Sequence, residues 1–347
     1  MIIIGSMSGT SLDGLDIAAC KFWLESNRWH YTILCAQTQP YTPHEAQQLK
    51  NAFYLSGMQL IQWHHQYGKI IGQHVKQFCE KNALTPDYIS SHGHTIFHQP
   101  DSGFTFQLGH GADIAAVSGI KTICDFRTTD VAHGGQGAPL VPIGDELLFP
   151  EYTYCLNLGG ISNISFQEGG IRKAFDIGIC NMALNDLAQR MGMTYDKDGM
   201  LAQSGHVNTH LLQQLWAMAG EHHQQKQSLG YEWYTAHLKP LLDATQISVI
   251  DKLRTCCEFI AGQIAAEVNK QGKVLLTGGG ARNKFLLHCI VEKTQTNIIV
   301  PDSNIIDFKE ALIFAFLGLL RVKEQVNCLS SVTGANKNST GGTIYLP

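Results

Sequence analysis

The sequence predicts a two-domain α/β protein that binds its ligand in a cleft between the domains. Its 347 residues are too many for one ordinary core and suit two domains of common size. Strand patterns and a helix pattern alternate over residues 88–126. A glycine turn also occurs twice, because Ile4-Gly5-Ser6-Met7-Ser8 matches Leu158-Gly159-Gly160-Ile161-Ser162 in the order apolar, glycine, small, apolar, serine. The repeat indicates two related halves.

The first glycine turn lies between two strand patterns, which together predict a β-hairpin. The apolar run from Ile2 to Ile4 leads into glycine and hydroxyl residues, and apolar residues alternate again from Leu12 onward. Backbone N–H groups and hydroxyls at such a tip can bind phosphate, and Asp13 and Asp16 could hold Mg²⁺ through water. A tight hairpin without a ligand explains the same residues, so the second copy is what favours phosphate binding.

The same N-terminal stretch and several later ones carry a specific resemblance. They are Gly5-Ser-Met-Ser-Gly-Thr-Ser-Leu-Asp-Gly-Leu-Asp16, Ser91-His-Gly-His-Thr95, Asp125-Phe-Arg127, Gly134-Gly-Gln-Gly-Ala-Pro-Leu140, Asn157-Leu-Gly-Gly-Ile-Ser-Asn163, Phe175-Asp-Ile-Gly178, Thr277-Gly-Gly-Gly-Ala281 and Phe308-Lys-Glu-Ala311. In this order they resemble the motifs of the anhydro-N-acetylmuramic acid kinase family, within the actin, hexokinase and acetate-kinase superfamily. The resemblance implies an α/β fold of the two-domain actin-like (ribonuclease-H-like) sugar kinase type, with an interdomain cleft.

The resemblance also implies roles for individual residues. The residues expected to bind ATP are Gly9, Thr10, Ser11, Leu12, Asp13, Gly14, Leu15, Asp16, Gly159, Gly160, Asn163, Gly278, Gly279, Gly280 and Asn283. Asp13 and Asp16 are expected on the side of Mg²⁺, and Ser8, His92 and Arg127 on the side of the sugar. Asp176 matches the family's catalytic base, and Glu310 matches a glutamate in the cleft and is expected to support catalysis.

The histidines of the first half do not predict a metal site. His64 and His65 are adjacent in the second of two helical stretches between Pro43 and Asn82, so their side chains point in different directions. His92, His94 and His98 follow a short strand, Tyr88 to Ser91, but no cluster of cysteines or carboxylates stands out as their partner. We therefore expect sugar or loop contacts there. Glutamine is usual in the family where this chain has His94.

Arg127 lies just past an apolar strand, Lys121 to Phe126, in a region where α/β sheets collect ligands. Its guanidinium could hold the lactyl carboxylate of the substrate through two hydrogen bonds. A structural ion pair with a neighbour such as Asp130 is the competing interpretation. The flexible sequence after Arg127 favours a domain boundary near this point.

Asp176 comes at the end of a strand pattern that leads into a predicted glycine turn at Gly178, with a helix expected over about 181–191. An aspartate before glycine is commonly a turn residue or a helix cap, but its place after the second glycine turn favours catalysis. The chain has Ile177, Ile179 and Cys180 where the commoner family form has Thr, Pro and Gly. This departure concerns the shape of the loop and leaves the carboxylate in place.

The strand pattern from Lys273 to Thr277 runs into Gly278-Gly279-Gly280 and then a helix. Because the sequence does not satisfy Gly-x-Gly-x-x-Gly, adenosine binding is favoured over a dinucleotide site. Farther on, Asp307 and Glu310 precede an apolar helix. They could form a capping pair, which is the structural alternative to a cleft role for Glu310.

Composition and patterning limit the remaining function classes. A formal charge of −4 without a basic run argues against nucleic acid as a partner, and no apolar run is long enough for a membrane helix. Ten irregularly spaced cysteines favour buried thiols in a reducing compartment. We therefore expect a cytoplasmic enzyme. The resemblance implies a small-molecule anhydro-amino-sugar substrate, and we also consider a homodimer.

The predicted domains are 1–127, 128–325 and a tail, 326–347, that packs toward the first domain. The reaction that the resemblance implies hydrolytically opens 1,6-anhydro-N-acetylmuramic acid and phosphorylates its 6-hydroxyl from ATP, in peptidoglycan recycling. Another sugar or carboxylic-acid kinase of the superfamily would share the phosphate motifs but would add no water. An actin-like or chaperone-like ATPase would use the same nucleotide site without a sugar.

Overall fold

The computed structural model describes residues 1–9, 12–225, 229–268, 271–294 and 296–347. They form two compact units. Unit 1 contains Met1–Pro150, Gly169–Lys173 and Phe308–Pro347, and unit 2 contains Glu151–Glu168 and Ala174–Asp307. The division into independently folding domains, 1–127 and 128–325 with a tail, remains a prediction.

Strands and helices follow one another along both units. The strands are β1 (Ile2–Ser8), β2 (Gly14–Glu25), β3 (Arg28–Pro40), β4 (Tyr88–Gln99), β5 (Phe104–Leu108), β6 (Thr122–Cys124), β7 (Tyr154–Leu158), β8 (Ile161–Glu168), β9 (Ile171–Ile179), β10 (Lys273–Thr277), β11 (Asn297–Ile299) and β12 (Thr343–Tyr345). The α-helices are α1 (Pro43–Asn51), α2 (Gly57–Lys81), α3 (Gly111–Ser118), α4 (Thr128–Ala132), α5 (Val141–Leu148), α6 (Asn181–Gln189), α7 (Met200–Ser204), α8 (Thr209–Gln225), α9 (Tyr231–Trp233), α10 (Lys239–Ala244), α11 (Val249–Glu267), α12 (Lys284–Thr294), α13 (Ser303–Val322) and α14 (Ser330–Thr333). A π-helical segment, Tyr234–Leu238, joins α9 to α10.

The sheet of unit 1 has the order β12-β6-β4-β1-β2-β3, with β5 paired to β4. Strands β1 and β2 are antiparallel, which confirms the first predicted hairpin. Strand β4 lies parallel to β1, and β6 lies parallel to β4. The mixed sheet therefore places the end of β1 next to the middle of β4.

The sheet of unit 2 has the order β11-β10-β7-β8-β9. Strands β7 and β8 are antiparallel and are joined by Gly159 and Gly160, which confirms the second predicted hairpin. Strand β10 is parallel to β7 and ends beside it, since Thr277 pairs with Asn157. The predicted mixed α/β fold is confirmed, with one sheet in each unit.

Burial of apolar faces explains why these segments fold as they do. Helix α2 begins with a capping box between Ser56 and Gln59, and it buries one apolar face that includes Trp63 and Tyr67. Residues 311–320 of α13 are all buried in unit 1. A Cβ atom at Gly5 would lie 1.8 Å from the Ala311 carbonyl oxygen, so only glycine lets β1 pass this helix.

Two boundaries differ from the sequence prediction. Strand β4 does not end at Ser91 but continues to Gln99, through a bulge against β1. Helix α13 begins at Ser303, where the Asp302 carboxylate accepts the N–H groups of Asn304 and Ile305. Asp307 is therefore inside the helix, where it pairs with Arg282, and the structural alternative for Glu310, a capping pair with Asp307, is wrong.

Two predictions about the chain as a whole can be checked directly. All ten cysteines are free and nine of them are buried, so the expectation of buried thiols is confirmed. Within the described ranges, no helix is both long enough and apolar enough to cross a membrane.

Candidate active site

Ser8, a predicted sugar-binding residue, is the end of a hydrogen-bonded chain of hydroxyls in unit 1. The Tyr41 hydroxyl donates to Ser8 Oγ at 2.6 Å and lies 2.6 Å from the Tyr67 hydroxyl, while Ser8 Oγ lies 2.9 Å from His94 Nδ1. Burial raises the pKa of Tyr41 to about 12 and lowers the pKa of His94 to about 4. Tyr41 therefore keeps its proton, and His94 is neutral. Ser8 accepts from Tyr41 and shares one hydrogen bond with His94, so its hydroxyl keeps one further hydrogen-bonding position for a ligand.

The hairpin tip carries most of the predicted nucleotide and metal residues of unit 1. Gly9 and Leu12 flank Thr10 and Ser11, which lie outside the described residues. Leu12 has a left-handed φ of 58° and is partly buried. Leu15 is fully buried in the core, so only its backbone can face a nucleotide.

Gly14 is required by packing, because a Cβ atom there would lie 2.6 Å from the Gln39 carbonyl oxygen. Asp13 is exposed, and Asp16 is partly exposed and accepts the Thr38 hydroxyl at 2.6 Å. The exposed carboxylate of Asp13, just before β2, and the partly exposed carboxylate of Asp16, within β2, offer oxygen ligands that suit a magnesium ion with much of its water retained. The residues present therefore fit Mg²⁺.

His92 and Arg127 are brought together in unit 1. Arg127 Nε and Nη2 lie 3.0 and 2.9 Å from His92 Nε2, and Arg127 Nη1 donates to the Gly137 carbonyl at 2.6 Å. Burial, with a further effect of the Arg127 charge, lowers the pKa of His92 well below its ordinary value. His92 is therefore neutral, with Nε2 as the acceptor and Nδ1–H directed to the Gly93 carbonyl at 3.1 Å.

Asp130 does not form the ion pair with Arg127 that was the alternative interpretation. Its carboxylate instead accepts the Gly137 N–H at 2.8 Å, the Thr333 hydroxyl at 2.8 Å and the Cys328 thiol at 3.1 Å. Asp130 thus holds the loop whose carbonyl at Gly137 contacts Arg127. It acts on the arginine through this loop.

Glu310 lies on α13 with an exposed side chain. The protein around its carboxylate still displaces enough water to raise its pKa, and the positive charges of Arg127 and Lys309 oppose that effect. Lys309 itself lies 2.7 Å from Asp145, which is also 3.6 Å from Arg172. The charge of Lys309 is therefore shared with a buried partner, and Glu310 remains accessible.

Asp176 lies near the end of β9 in unit 2 with an exposed side chain. Desolvation by the surrounding protein raises the pKa of its carboxyl group. The strand continues to Ile179 and Cys180 is the cap of α6, so the prediction of a glycine turn at Gly178 is wrong and Asp176 is neither a turn residue nor a helix cap. A Cβ atom at Gly178 would lie 2.5 Å from Gln263 Oε1, which explains this glycine by packing.

The strand that carries Asp176 is tied to the second glycine turn. Cys180 N–H donates to the Gly160 carbonyl at 2.9 Å, and Asn181 N–H donates to the Gly159 carbonyl at 3.1 Å. Neither glycine has a left-handed φ, and a Cβ atom at Gly160 would have no neighbour closer than 3.7 Å. The fold therefore does not require glycine at position 160, and a bare backbone faces open space there.

The Gly278–Gly280 segment lies against the same turn. Gly278 has a left-handed φ of 82°, and a Cβ atom at Gly280 would lie 2.7 Å from the Leu158 Cβ. A Cβ atom at Gly279 would meet nothing within 4 Å. Conformation and packing thus explain the first and third glycines, whereas the second presents bare backbone to solvent.

Two further predicted nucleotide residues have local roles in unit 2. Asn163 pairs with Asn157 across β7 and β8 and is partly buried. Asn283 Oδ1 accepts the Leu286 N–H at 2.9 Å and so caps the start of α12. Contact of either residue with a nucleotide stays a prediction.

Comparison with known proteins identifies the family. The family model described as anhydro-N-acetylmuramic acid kinase matches residues 1–347. The chain belongs to this family. Anhydro-N-acetylmuramic acid kinases of Mannheimia succiniciproducens and Pasteurella multocida are 34% and 33% identical, over 99% of this chain and 98% and 97% of theirs. The enzyme of Vibrio cholerae is 32% identical, over 100% of this chain and 98% of its own.

A looser similarity extends to solved structures. The activator of the 2-hydroxyisocaproyl-CoA dehydratase from Clostridium difficile, solved with bound ADPNP, aligns over 93% of this chain and 96% of its own, with 13% identity and a TM-score of 0.46. A similarity of this degree carries no argument about the site.

Membership of the anhydro-N-acetylmuramic acid kinase family makes this chain an ATP-dependent kinase of a small sugar. The other superfamily kinase and the actin-like ATPase are not favoured. The three departures from the commoner family sequence, Ile177, Ile179 and Cys180, are buried in the core of unit 2. They fill the core beneath the site, and the Asp176 carboxylate stays exposed.

Several residues that shape the site have no local sequence signal. Tyr41 and Tyr67 reach Ser8 from other elements, and Asn181 Nδ2 donates to the Leu158 carbonyl at 2.8 Å. Gln263 on α11 packs against β9 and donates to the Ile177 carbonyl at 3.4 Å. These contacts join residues 23 to 86 positions apart in the sequence, so only the tertiary fold shows them.

Proposed function

We propose that this chain binds ATP and 1,6-anhydro-N-acetylmuramic acid, opens the anhydro ring with water and phosphorylates the 6-oxygen. The products are N-acetylmuramic acid 6-phosphate and ADP. Family membership over the whole chain supports the activity. The observation that carries the mechanism is the meeting, in unit 2, of the glycine turn at 159–160, the Gly278–Gly280 segment and the strand bearing Asp176.

Asp176 is the general base in this proposal. Its exposed carboxylate takes a proton from water while the water oxygen forms a bond to the anomeric carbon. The bond between that carbon and the 6-oxygen breaks, and the 6-oxygen attacks the γ-phosphorus as ADP leaves. A base with a raised pKa holds the transferred proton better than an ordinary aspartate would.

The glycine turns hold the nucleotide. Bare backbone at Gly160 and Gly279 allows close approach, and this open space supports contact with phosphate or adenosine. Asp13 and Asp16 would hold Mg²⁺, which when bound neutralises charge on the phosphates. The sequence lacks Gly-x-x-x-x-Gly-Lys-Ser/Thr, so backbone and metal carry this task.

Arg127 and Ser8 hold the sugar. A guanidinium has five N–H groups; His92 and Gly137 occupy three of those of Arg127, which leaves one hydrogen on each terminal nitrogen. Two such hydrogens suit a carboxylate, and the lactyl group of the substrate supplies one. Neutral His92 fixes the guanidinium without competing for that negative charge.

The setting of the reaction is part of the proposal. We place it in the cytoplasm, in the recycling of peptidoglycan, and the ten free cysteines support a reducing compartment. The net charge of −4 supports the absence of a nucleic-acid partner. A homodimer remains a prediction.

The variant Asp176→Asn tests the assignment of the base, with Glu292→Gln on the exposed face of α12 as the matched control. Asparagine keeps the shape but cannot take the proton, so turnover should fall roughly 10²–10⁴-fold. The affinity for MgATP, measured by calorimetry, should stay close to wild type, because the residue acts on water. The control should match the wild type in both measurements.

Two outcomes would contradict the assignment. Near-normal turnover of a folded Asp176→Asn variant would remove Asp176 from catalysis. Loss of MgATP binding in that variant would instead place the carboxylate at the metal and the nucleotide.

A further inference from the structure

Unit 1 carries a cluster of His65, His110 and Asp113 on its surface. His65 Nδ1 lies 2.6 Å and His110 Nδ1 lies 2.9 Å from the same oxygen, Asp113 Oδ2. Over the described ranges of the chain, this is the one group of three or more potential ligands whose donor atoms all lie within 4.8 Å of one another. None of its members has a part in the proposed kinase reaction.

The backbone that carries these side chains is held by close helix packing. A Cβ atom at Gly68 of α2 would lie 2.7 Å from the His110 carbonyl oxygen, so glycine permits the approach of the two segments. His110 N–H donates to the His64 carbonyl at 3.1 Å, and Gly109 N–H donates to His64 Nδ1 at 3.1 Å. His64 is thus engaged with the loop before α3, and its neighbour His65 is free to meet His110 and Asp113.

We propose that His65, His110 and Asp113 bind a divalent first-row transition metal of the zinc or nickel class. Two imidazole nitrogens and one carboxylate oxygen are a common donor set for such ions, with water in the remaining position. Mg²⁺ prefers oxygen ligands and six-fold coordination, and MgATP therefore does not compete for this site.

The distances require only a small opening of the cluster. Tetrahedral ligands at about 2.0–2.1 Å from zinc lie about 3.3 Å apart, so the donor atoms must separate by roughly half an ångström. His65 can make this movement because its side chain is 46% exposed. Lys69 Nζ lies 3.9 Å from Asp113 Oδ1, and its exposed, flexible side chain can turn away into water.

The plainer interpretation is that both Nδ1–H groups donate to one carboxylate oxygen and nothing else binds. The chain contains a matched reference for it, since His206 faces Asp251 at 3.9 Å and is fully accessible. One imidazole and one carboxylate offer a metal two ligands, whereas the cluster offers three. Selective binding at the cluster therefore separates the proposal from general affinity of surface histidines.

The test uses the full chain without an affinity tag, after treatment with a chelator and its removal. Calorimetry with Zn²⁺ should show one site per chain, and Co²⁺ should give the visible absorption of a tetrahedral complex. His65→Ala and His110→Ala should each weaken binding about tenfold or more and remove the absorption. His206→Ala should bind like the wild type.

Circular dichroism checks that each variant is folded, and His110→Asn serves as a milder second variant at that position. Absence of saturable binding to the wild type would overturn the proposal. Binding that is unchanged in His65→Ala and His110→Ala would overturn it equally, because the metal would then lie elsewhere. Neither result bears on the kinase activity.

Discussion

Substitution of the second and third glycines of the Gly278–Gly280 segment separates binding from packing. A Cβ atom at Gly280 would lie 2.7 Å from the Leu158 Cβ and 3.0 Å from the Leu158 carbonyl oxygen. Such overpacking costs about 1–3 kcal/mol, so Gly280→Ala should lower the free energy of unfolding by that amount. Gly279→Ala meets no atom within 4 Å and has no left-handed φ to lose, so it should leave stability unchanged or raise it by about 0.4–1 kcal/mol.

For nucleotide affinity we expect the opposite order, with Gly279→Ala the more damaging of the two substitutions. If ATP lies against the bare backbone of Gly279, one added methyl group should cost about 1–3 kcal/mol of binding, or roughly 10–200-fold in the dissociation constant. Denaturant unfolding measures the stability of both variants, and calorimetry measures their affinity for MgATP. Unchanged MgATP affinity in a stable Gly279→Ala protein would refute the argument that open space at this glycine marks the nucleotide.

Three more predictions follow from the described contacts. Desolvation raises the pKa of Asp176 above its ordinary 3.8, and the base acts only when it is ionised, so kcat/KM should fall on acidification with a midpoint above 3.8. If the Asp176→Asn variant shows the same midpoint, the titration belongs to another group, such as Glu310, whose pKa is also raised. Asp130→Asn leaves one of the buried donors around this side chain without a partner, so the free energy of unfolding should fall by about 1–3 kcal/mol. The KM for the sugar should rise while the MgATP affinity stays constant. An unchanged KM for the sugar would show that the Gly137 loop does not position Arg127. Gly5→Ala should destabilise the protein by at least about 1–3 kcal/mol in denaturant unfolding, because its Cβ would overlap the Ala311 carbonyl. The control Gly57→Ala should be tolerated, because that position is open. Equal stability of the two variants would contradict the packing of β1 on α13.

The sequence predicts the parts of the fold that depend on local pattern. Both hairpins and the strand from Lys273 to Thr277 are confirmed, since alternation and glycine turns determine them. The extension of β4 beyond Ser91 is not visible in the sequence, because Gly93 with its φ of 74° interrupts the pattern and pairing with β1 and β5 keeps the strand intact. Long-range pairing outweighs the local signal there.

The start of α13 shows a second limit. Asp302 and Asp307 are both plausible caps from their residue type, and only the structure shows that Asp302 accepts the first N–H groups. Phe308 departs from helical geometry with φ −118° and ψ 15°, so the helix is kinked one residue after the wrongly predicted start. The sequence around Asp307 therefore does indicate an irregularity, but this irregularity is a kink within α13 and not the start of the helix.

The residues of the candidate site also fall into two groups, those that a sequence motif marks and those that only the tertiary fold brings together. The residues on glycine turns and strand ends, such as Gly160 and Asp176, can be named from the sequence because motif and chemistry coincide. Other residues that shape the site, such as Tyr41 and Tyr67 beside Ser8, come from distant segments and carry no motif. The cluster of His65, His110 and Asp113 is of this second kind, since two packed helices create it.

Mass analysis of the product formed in ¹⁸O-labelled water tests the central claim most directly. We predict that each turnover adds one labelled oxygen and one phosphate to the anhydro-sugar, because water opens the ring and the released 6-oxygen accepts the phosphoryl group. A phosphorylated product without labelled oxygen, or release of ADP without any sugar product, would contradict this account.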